Sequence, residues 1–240
     1  MKKKSYYCII SLLCLSALVS CSENNQESPV GSEYFFSDSY ITWYYRMDSA
    51  DLLLDTYDIE KSTFIFVWQG HFTDYYTKEH NSGEYTRFCE KFDDFGLNSY
   101  LDKDNQGSVN DFIGVTITSS SDFPGHPAGT NLNDIAFIDL VSAKPFIDSR
   151  YSDSYLDQHP IMIDGHRLIA ESDGFTPIYK IAKDLKREDL MLIGRNFHIV
   201  FHDKPLEDNE IVYITVTLEQ VGVDPIVSTY GVNFGNLAKK

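Results

Sequence analysis

The sequence predicts an all-β protein, an antiparallel β-sandwich with few and short helices. Three observations support this fold class. Apolar and polar residues alternate with a period of two, short apolar runs are bounded by turn residues, and dipeptides typical of hairpin turns separate β-branched segments. Helical spacing of apolar residues is scarce, so two packed sheets are the simplest way to bury the apolar faces.

Five segments carry the strand patterns. The continuous apolar run 64–68 predicts a strand that is covered on both faces. Segments 113–118 and 211–218 place an apolar residue at every second position, which predicts strands with one face in the core. Segments 197–201 and 226–234 are rich in β-branched and aromatic residues and predict two further strands.

Some of the segments between these predicted strands have residues typical of turns or of short helices. Asp164–Gly165 and Asp173–Gly174 predict two-residue hairpin turns, because both turn positions need a positive φ. A polar residue followed three positions later by an acidic one predicts a short helix over 131–140. One or two further helical turns are predicted in 182–190.

The N-terminus has the features of a secretory signal. Lysines at positions 2–4 precede an apolar run over 8–19. As a helix that run would reach about 18 Å, which is too short for a hydrocarbon core of about 30 Å. Residues 18–21, Leu-Val-Ser-Cys, resemble the lipobox of bacterial lipoproteins. The resemblance implies that residues 1–20 are removed as a signal peptide and that Cys21 is acylated, so that lipid anchors the chain to a membrane.

The mature chain implied by this cleavage begins with a flexible tether over 21–33, which is followed by one β-sandwich domain over 34–240. Two modules that meet near 102–111 are the alternative. Without the signal peptide the chain keeps 17 basic and 36 acidic residues, a formal net charge of −19. Because proteins bind phosphate backbones by neutralising them with Lys and Arg, this charge argues against nucleic acid as a partner.

Segment 107–134 carries a second resemblance. A predicted strand is followed by residues 126–134, which read His-Pro-Ala-Gly-Thr-Asn-Leu-Asn-Asp. This arrangement is similar to a group of uncharacterised bacterial outer-membrane lipoproteins, whose loop has the form His-Pro-Ala-Gly-x-x-Leu-Asn-Asp. The resemblance implies an outer-membrane location, on either the periplasmic or the external side, and it carries no activity.

Two segments are candidates for binding. Seven of the twelve residues in 34–45 are aromatic, and exposed rings stack on sugars or on partner proteins. The candidates in this segment are Tyr40, Trp43, Tyr44 and Tyr45, with the alternative that these rings build the core. The second candidate is the loop over 119–130 with Phe123 and His126, which is either a binding loop or an ordered connection between sheets.

One segment has the spacing of a calcium loop. Side chains with oxygen atoms occupy positions one, three, five and nine of such a loop, and these residues are Asp102, Asp104, Gln106 and Asn110. Position twelve of such a loop is a bidentate Glu, whereas this chain has Ile113 there, so that any calcium binding is expected to be weak. A polar connecting loop is the alternative.

His198 and His202 fall on a predicted strand, where residues four apart are about 13 Å apart and do not chelate one zinc ion.

Cys89 is the one cysteine that is expected outside the signal peptide and the lipid anchor. A buried apolar role is the common one for such a residue, and the alternative is a reactive thiol activated by Arg87 and Lys91.

Neither a nucleophile elbow nor a phosphate-binding loop is present in the sequence. We therefore expect a non-catalytic, lipid-anchored envelope protein that binds a neutral glycan or a protein. No cofactor is expected. A structural subunit of a surface assembly and a hydrolase are the alternatives.

Overall fold

A long β-hairpin lies at the centre of the larger of two sheets. The computed structural model describes residues 35–58, 63–101, 105–152, 162–163, 166–167, 176–206 and 210–237. Within these residues the strands are β1 (Phe35–Ser37), β2 (Trp43–Asp58), β3 (Thr63–Tyr76), β4 (Ser99–Leu101), β5 (Gln106–Ser108), β6 (Phe112–Ser119), β7 (Ala136–Ser142), β8 (Met162–Ile163), β9 (His166–Arg167), β10 (Thr176–Ile181), β11 (Asn196–Phe201), β12 (Val212–Gln220) and β13 (Ile226–Val232). The helices are α1 (Ser82–Phe92), α2 (Lys144–Asp148) and α3 (Phe234–Leu237), and 3₁₀ turns lie at Ala182–Asp184 and Arg187–Leu190.

The strands form two main sheets. The larger has six strands in the order β10-β7-β11-β3-β2-β5, in which β2 and β5 are parallel and the other neighbours are antiparallel. The smaller has three antiparallel strands in the order β13-β12-β6. Two short pairs, β1 with β4 and β8 with β9, complete the described strand pairing.

The two main sheets enclose one large apolar core. Phe66 and Trp68 of β3 and Ile214 and Val216 of β12 are fully buried in it. Each such side chain contributes about 1.5–3 kcal/mol relative to an exposed one.

Burial alternates along β3, so this strand has one face in the core. The prediction that 64–68 is covered on both faces is wrong, because Ile65 and Val67 are only partly buried. The predicted fold class, a mainly antiparallel β-sandwich with few short helices, is confirmed.

A smaller apolar cluster packs α1 and α2 against β2. Helix α1 buries Tyr85, Phe88, Cys89 and Phe92, which have the i, i+3, i+4, i+7 spacing of one helix face. The Tyr44 ring of β2 lies among them, with centroids 5.5, 5.6 and 6.0 Å from the three aromatic rings of that helix. This helix was not predicted, although its spacing is visible in the sequence.

All five predicted strands are present, as β3, β6, β11, β12 and β13, but the predicted end of the last one is wrong, because β13 ends at Val232 and Phe234 begins α3. The predicted turns in 182–190 are the two 3₁₀ turns.

The helix predicted over 131–140 is wrong, because strand β7 begins at Ala136 and buries every second residue up to Ser142. Asn131, the predicted first residue of that helix, instead forms an antiparallel bridge with Thr118. Asn133 binds β6 beside it. Its side chain bonds the Val115 carbonyl and the Ile117 N–H of β6, at 2.6 and 3.0 Å.

Several predictions fall on residues outside the described ranges. These include the signal peptide, Cys21, the tether and the turns at Asp164–Gly165 and Asp173–Gly174. Strands β8 and β9, on either side of Asp164–Gly165, pair antiparallel. Tyr34–Lys240 forms one compact unit. In the part of the chain that is described, no helix is both long and apolar enough to cross a membrane.

Candidate functional site

The N-terminal aromatic residues lie on both faces of β2, and most of them are buried. Tyr44 packs against α1 and Tyr45 faces the main core, and both are fully buried. Tyr40, in the turn before β2, is also buried, and its ring meets Phe146 edge-on at 5.0 Å. The prediction that these three tyrosines form a binding surface is therefore wrong. They build the core, as the alternative interpretation held.

Trp43 is the exception among these candidates. Its ring is partly exposed and lies edge-to-face against Phe72 and Tyr75 of β3, at centroid distances of 5.4 and 6.0 Å. Tyr75 is 40% exposed, and its ring is stacked on the exposed His80 at 4.7 Å. Trp43, Phe72, Tyr75 and His80 thus form one partly exposed cluster at the open end of the β2–β3 hairpin, which we call the aromatic surface.

The register of the hairpin brings this cluster together. Tyr75 lies opposite Tyr45, and Trp43 is two residues before Tyr45 on the same face of β2. Diagonal neighbours of this kind are within reach of aromatic side chains. Sequence reasoning identified Trp43 from the local run of rings. It missed Phe72 and Tyr75, because they come from the partner strand and β2 carries register shifts between Arg46 and Ser49.

A buried polar network lies behind the opposite face of β2. The Asp94 carboxylate is fully buried and accepts hydrogen bonds from the N–H groups of Tyr40 and Ile41 at 2.8 and 2.9 Å. It also accepts bonds from the hydroxyls of Tyr44 and Tyr151 at 2.9 and 3.0 Å. Burial raises the pKa of Asp94, while these four bonds to the charged form act in the opposite direction. The network fixes the turn that leads into the aromatic surface.

No protein-family model, curated protein or solved structure matches this chain. The ligand chemistry of the aromatic surface therefore follows from its own side chains. Trp and Tyr rings present flat apolar faces that suit the C–H face of a sugar ring or an apolar side chain of a partner. The exposed imidazole of His80 adds a polar group to the same surface.

The loop over 119–130 is an ordered connection. Phe123 is 1% exposed, and its backbone exchanges two hydrogen bonds of 2.8 Å with that of His126. The His126 ring is held on both sides, with Nδ1 2.9 Å from the Pro124 carbonyl and Nε2 2.8 Å from the Asp134 carboxylate. Phe123 is a core residue, so the prediction that it binds a ligand is wrong. The ring of His126 is held by the loop and is partly exposed, and a binding role for it stays a prediction.

The predicted calcium segment is partly outside the described residues, where Asp102 and Asp104 lie. Gln106 begins β5, and Asn110 is buried. Asn110 accepts a hydrogen bond from the Met47 N–H at 2.7 Å and donates one to the Met47 carbonyl at 2.9 Å. These bonds satisfy the backbone at a register shift in β2, so Asn110 is not free to bind calcium. No group of three or more His, Cys, Asp or Glu side chains among the described residues could hold a metal ion.

Cys89 lies on the buried face of α1, with its Sγ 3.8 Å from the Tyr44 hydroxyl. Burial raises the pKa of the thiol, and the charge of Asp94 acts in the same direction. The raised pKa argues against the alternative prediction, in which Arg87 and Lys91 lower the pKa of the thiol and make it reactive. The thiolate is the reactive form, so a raised pKa favours an inert, packed cysteine.

His198 lies in β11, opposite Asp139 of β7. Its Nδ1 is 3.7 Å from a carboxylate oxygen of Asp139, which is 1% exposed. The strand predicted for 197–201 is confirmed by β11, and His202 follows directly after its last residue. The partner of His198 is therefore a carboxylate on the neighbouring strand.

Proposed function

We propose that this chain is a lipid-anchored, non-catalytic protein of the bacterial outer membrane that binds a neutral glycan through the aromatic surface. The observation that carries this proposal is the clustering of Trp43, Phe72, Tyr75 and His80, in which Trp43 contacts Phe72 and Tyr75, and Tyr75 contacts His80. All four side chains remain at least partly exposed. The lipid anchor is supported by the resemblance of residues 18–21 to a lipobox.

The proposal that the glycan is neutral follows from the charge near the rings. Asp48 and Asp74 occupy exposed positions of the same β2–β3 hairpin, and the mature chain that this proposal implies has a formal net charge of −19. A polyanionic glycan would meet like-charge repulsion at this surface. Stacking of a neutral sugar on the rings carries no such cost, because it depends on apolar contact.

A glycan-array screen followed by calorimetry with the best neutral glycan tests the binding proposal. Tyr75→Ala and Trp43→Ala should each weaken binding by about 2 kcal/mol, or about 30-fold, as truncation of a central aromatic contact does. Tyr213→Ala is the matched control, because Tyr213 is 51% exposed and lies on the smaller sheet. Its affinity should stay within about twofold of wild type.

Three results would contradict the binding proposal. The first is an array on which only charged glycans, or none, are retained. The second is equal affinity in wild type and Tyr75→Ala. The third is a comparable loss in Tyr75→Ala and in the control variant Tyr213→Ala, which would mean that the aromatic surface is not the specific site.

The anchor is tested separately by metabolic labelling with a palmitate analogue. Wild type should carry the label and fractionate with the outer membrane, whereas Cys21→Ala should carry none. Cys89→Ala is the matched control, since Cys89 is buried and its loss should leave labelling unchanged. Equal label in wild type and Cys21→Ala would exclude the lipoprotein interpretation.

A structural subunit of a surface assembly is the second candidate, because exposed apolar side chains also mark the smaller sheet. Ile211, Tyr213 and Val227 are 55%, 51% and 53% exposed. Exposed apolar patches on a folded domain often mark protein contacts. Sedimentation that shows self-association in wild type but not in Tyr213→Lys would favour this function. A monomer at every concentration would count against self-assembly.

A further inference from the structure

A cavity of about 390 Å³ lies between α1, the beginning of β2 and the turn after β12. Its floor includes the buried side chains of Phe88 and Val109, each 2% exposed. Val221 and Val223, at 50% and 58% exposure, form part of its rim. The volume falls within the range of about 300–1,000 Å³ that small-molecule sites occupy.

Three cationic side chains from two separate elements line this cavity. Arg46 comes from β2, while Arg87 and Lys91 lie four residues apart on α1 and therefore share one helix face. Arg87 pairs with Glu84 at 2.7 Å, in a solvent-exposed pair that is worth little energetically. Neither Arg46 nor Lys91 has an ion pair among the described residues.

One carboxylate, that of Asp111, also lines the cavity. Asp111 forms a bidentate pair with Arg187, whose Nη2 is 2.7 Å from each carboxylate oxygen. Burial lowers the pKa of Lys91, and the charges of Arg46, Arg87 and Arg187 lower it further, while Asp111 acts in the opposite direction. The cavity thus brings three cationic side chains close together with one carboxylate in its lining. A bound anion would reduce the repulsion between these cations.

This concentration of positive charge is unusual for the chain. The protein has 36 acidic and 20 basic residues, so a random surface pocket would be acidic. The long-range field of the protein disfavours polyanions, but charges more than about 8–10 Å apart are largely screened at physiological ionic strength. A small anion inside the cavity therefore responds mainly to the cations that line it.

We propose that this cavity binds a small organic anion, whose carboxylate or phosphate group is held by Arg46 and Lys91 with Arg87 beside them. The apolar floor suits a ring or sugar body attached to that group. Arginine presents a planar fork of donors that matches a carboxylate or phosphate, and lysine adds a mobile point charge. This site is distinct from the aromatic surface, and it takes a different class of ligand.

Calorimetry on the full chain tests the proposal with three probes: glucuronate, glucose and inorganic phosphate. Glucuronate and glucose share a sugar body and differ in the carboxylate. Glucuronate should bind at least about tenfold more tightly than glucose, and phosphate should compete with it. Raising the salt concentration should weaken glucuronate binding but not any residual glucose binding.

Charge-neutralising variants locate the site. Arg46→Gln and Lys91→Gln should each weaken glucuronate binding by about tenfold or more. Lys183→Gln is the matched control, because Lys183 is exposed and lies outside the cavity lining, and it should retain wild-type affinity within about twofold. Melting curves of all variants verify folding, which the exposed positions of Arg46 and Lys91 should preserve.

Three outcomes would overturn the proposal: no binding of glucuronate or phosphate at about 10 mM, equal affinity for glucuronate and glucose, or the same loss in Lys183→Gln as in Lys91→Gln. Tyr75→Ala separates this site from the proposed glycan function. That variant should bind glucuronate as wild type does, so either site can fail while the other stands.

Discussion

The Tyr44 hydroxyl donates a 2.9 Å hydrogen bond to the carboxylate of Asp94, and both residues are fully buried. The same carboxylate accepts the N–H groups of Tyr40 and Ile41 through different oxygens, Oδ1 and Oδ2. One side chain therefore connects the end of α1 to the turn before β2 and to β2 itself. Because all of its partners are donors, the network is matched to an ionised carboxylate.

Asp94→Asn should lower the free energy of unfolding by about 3 kcal/mol, as measured by urea denaturation. An amide in either orientation places an NH₂ group against one of the two backbone N–H donors, so a buried donor loses its acceptor. The neighbouring Asp93→Asn is the matched control. Asp93 is 49% exposed, pairs with Arg150 at the surface and has a φ of 60° that Asn tolerates.

The control should change stability by less than about 1 kcal/mol, since a surface ion pair contributes little. If both variants lose the same amount, then the Asp94 network does not have the structural role described above.

The two tryptophans should report opposite environments. Trp68 is fully buried and stacked on Phe197 at 5.5 Å, whereas Trp43 is partly exposed. In Trp43→Phe, the remaining Trp68 should emit at short wavelength and resist quenching by acrylamide. In Trp68→Phe, the remaining Trp43 should emit at longer wavelength and be quenched several-fold more strongly. Equal quenching in the two variants would remove the basis for the aromatic surface.

Much of the sandwich could be predicted because its signal is local. The alternation in 211–218 that predicts β12 is a property of neighbouring residues, and the paired strands preserve it. The error over 131–140 has a tertiary cause, since Asn133 binds the backbone of β6 and β7 pairs with β10 and β11. Helix α1 was missed although Tyr85, Phe88 and Phe92 carry a helical period.

The candidate sites were less predictable, because they depend on contacts between distant segments. Trp43 could be identified from a local run of rings, but its partner Tyr75 is placed by the hairpin register. Trp43 and Tyr44 lie on opposite faces of β2, and the sequence does not show which of these faces is exposed at this point. The cationic cavity combines Arg46 of β2 with Lys91 of α1, a pairing that no sequence spacing indicates.

Cys89 should be inert in the folded protein. Because its thiol is buried and burial raises its pKa, reaction with a thiol-specific reagent near pH 8 should be about 100-fold slower in the native protein than in urea. The matched control is Thr86→Cys in a Cys89→Ser background, which places a thiol at an exposed position of the same helix. Both proteins are made as Tyr34–Lys240, so that each has one cysteine. Rapid native reaction of Cys89 would restore the reactive-thiol interpretation.

Stability should depend on pH through His198. The interaction with the Asp139 carboxylate, 3.7 Å away, raises the pKa of His198, and partial burial acts in the opposite direction. A folded-state pKa above the unfolded value, which is about 6.5, means that the folded chain binds the proton more tightly. The resulting stabilisation is fully present below about pH 6.5 and is lost as the pH rises through the folded-state pKa.

Urea denaturation of wild type, His198→Asn, Asp139→Asn and the double variant, at about pH 5.5 and about pH 8, measures this contribution. The loss of stability between the two pH values should be smaller in His198→Asn than in wild type. Asp139→Asn should reduce it as well, because the charge that raises the pKa of His198 is removed. Since both substitutions break one interaction, the double variant should show no further reduction. An unchanged pH dependence in His198→Asn would show that the Asp139 carboxylate does not stabilise the protonated imidazole in the folded protein.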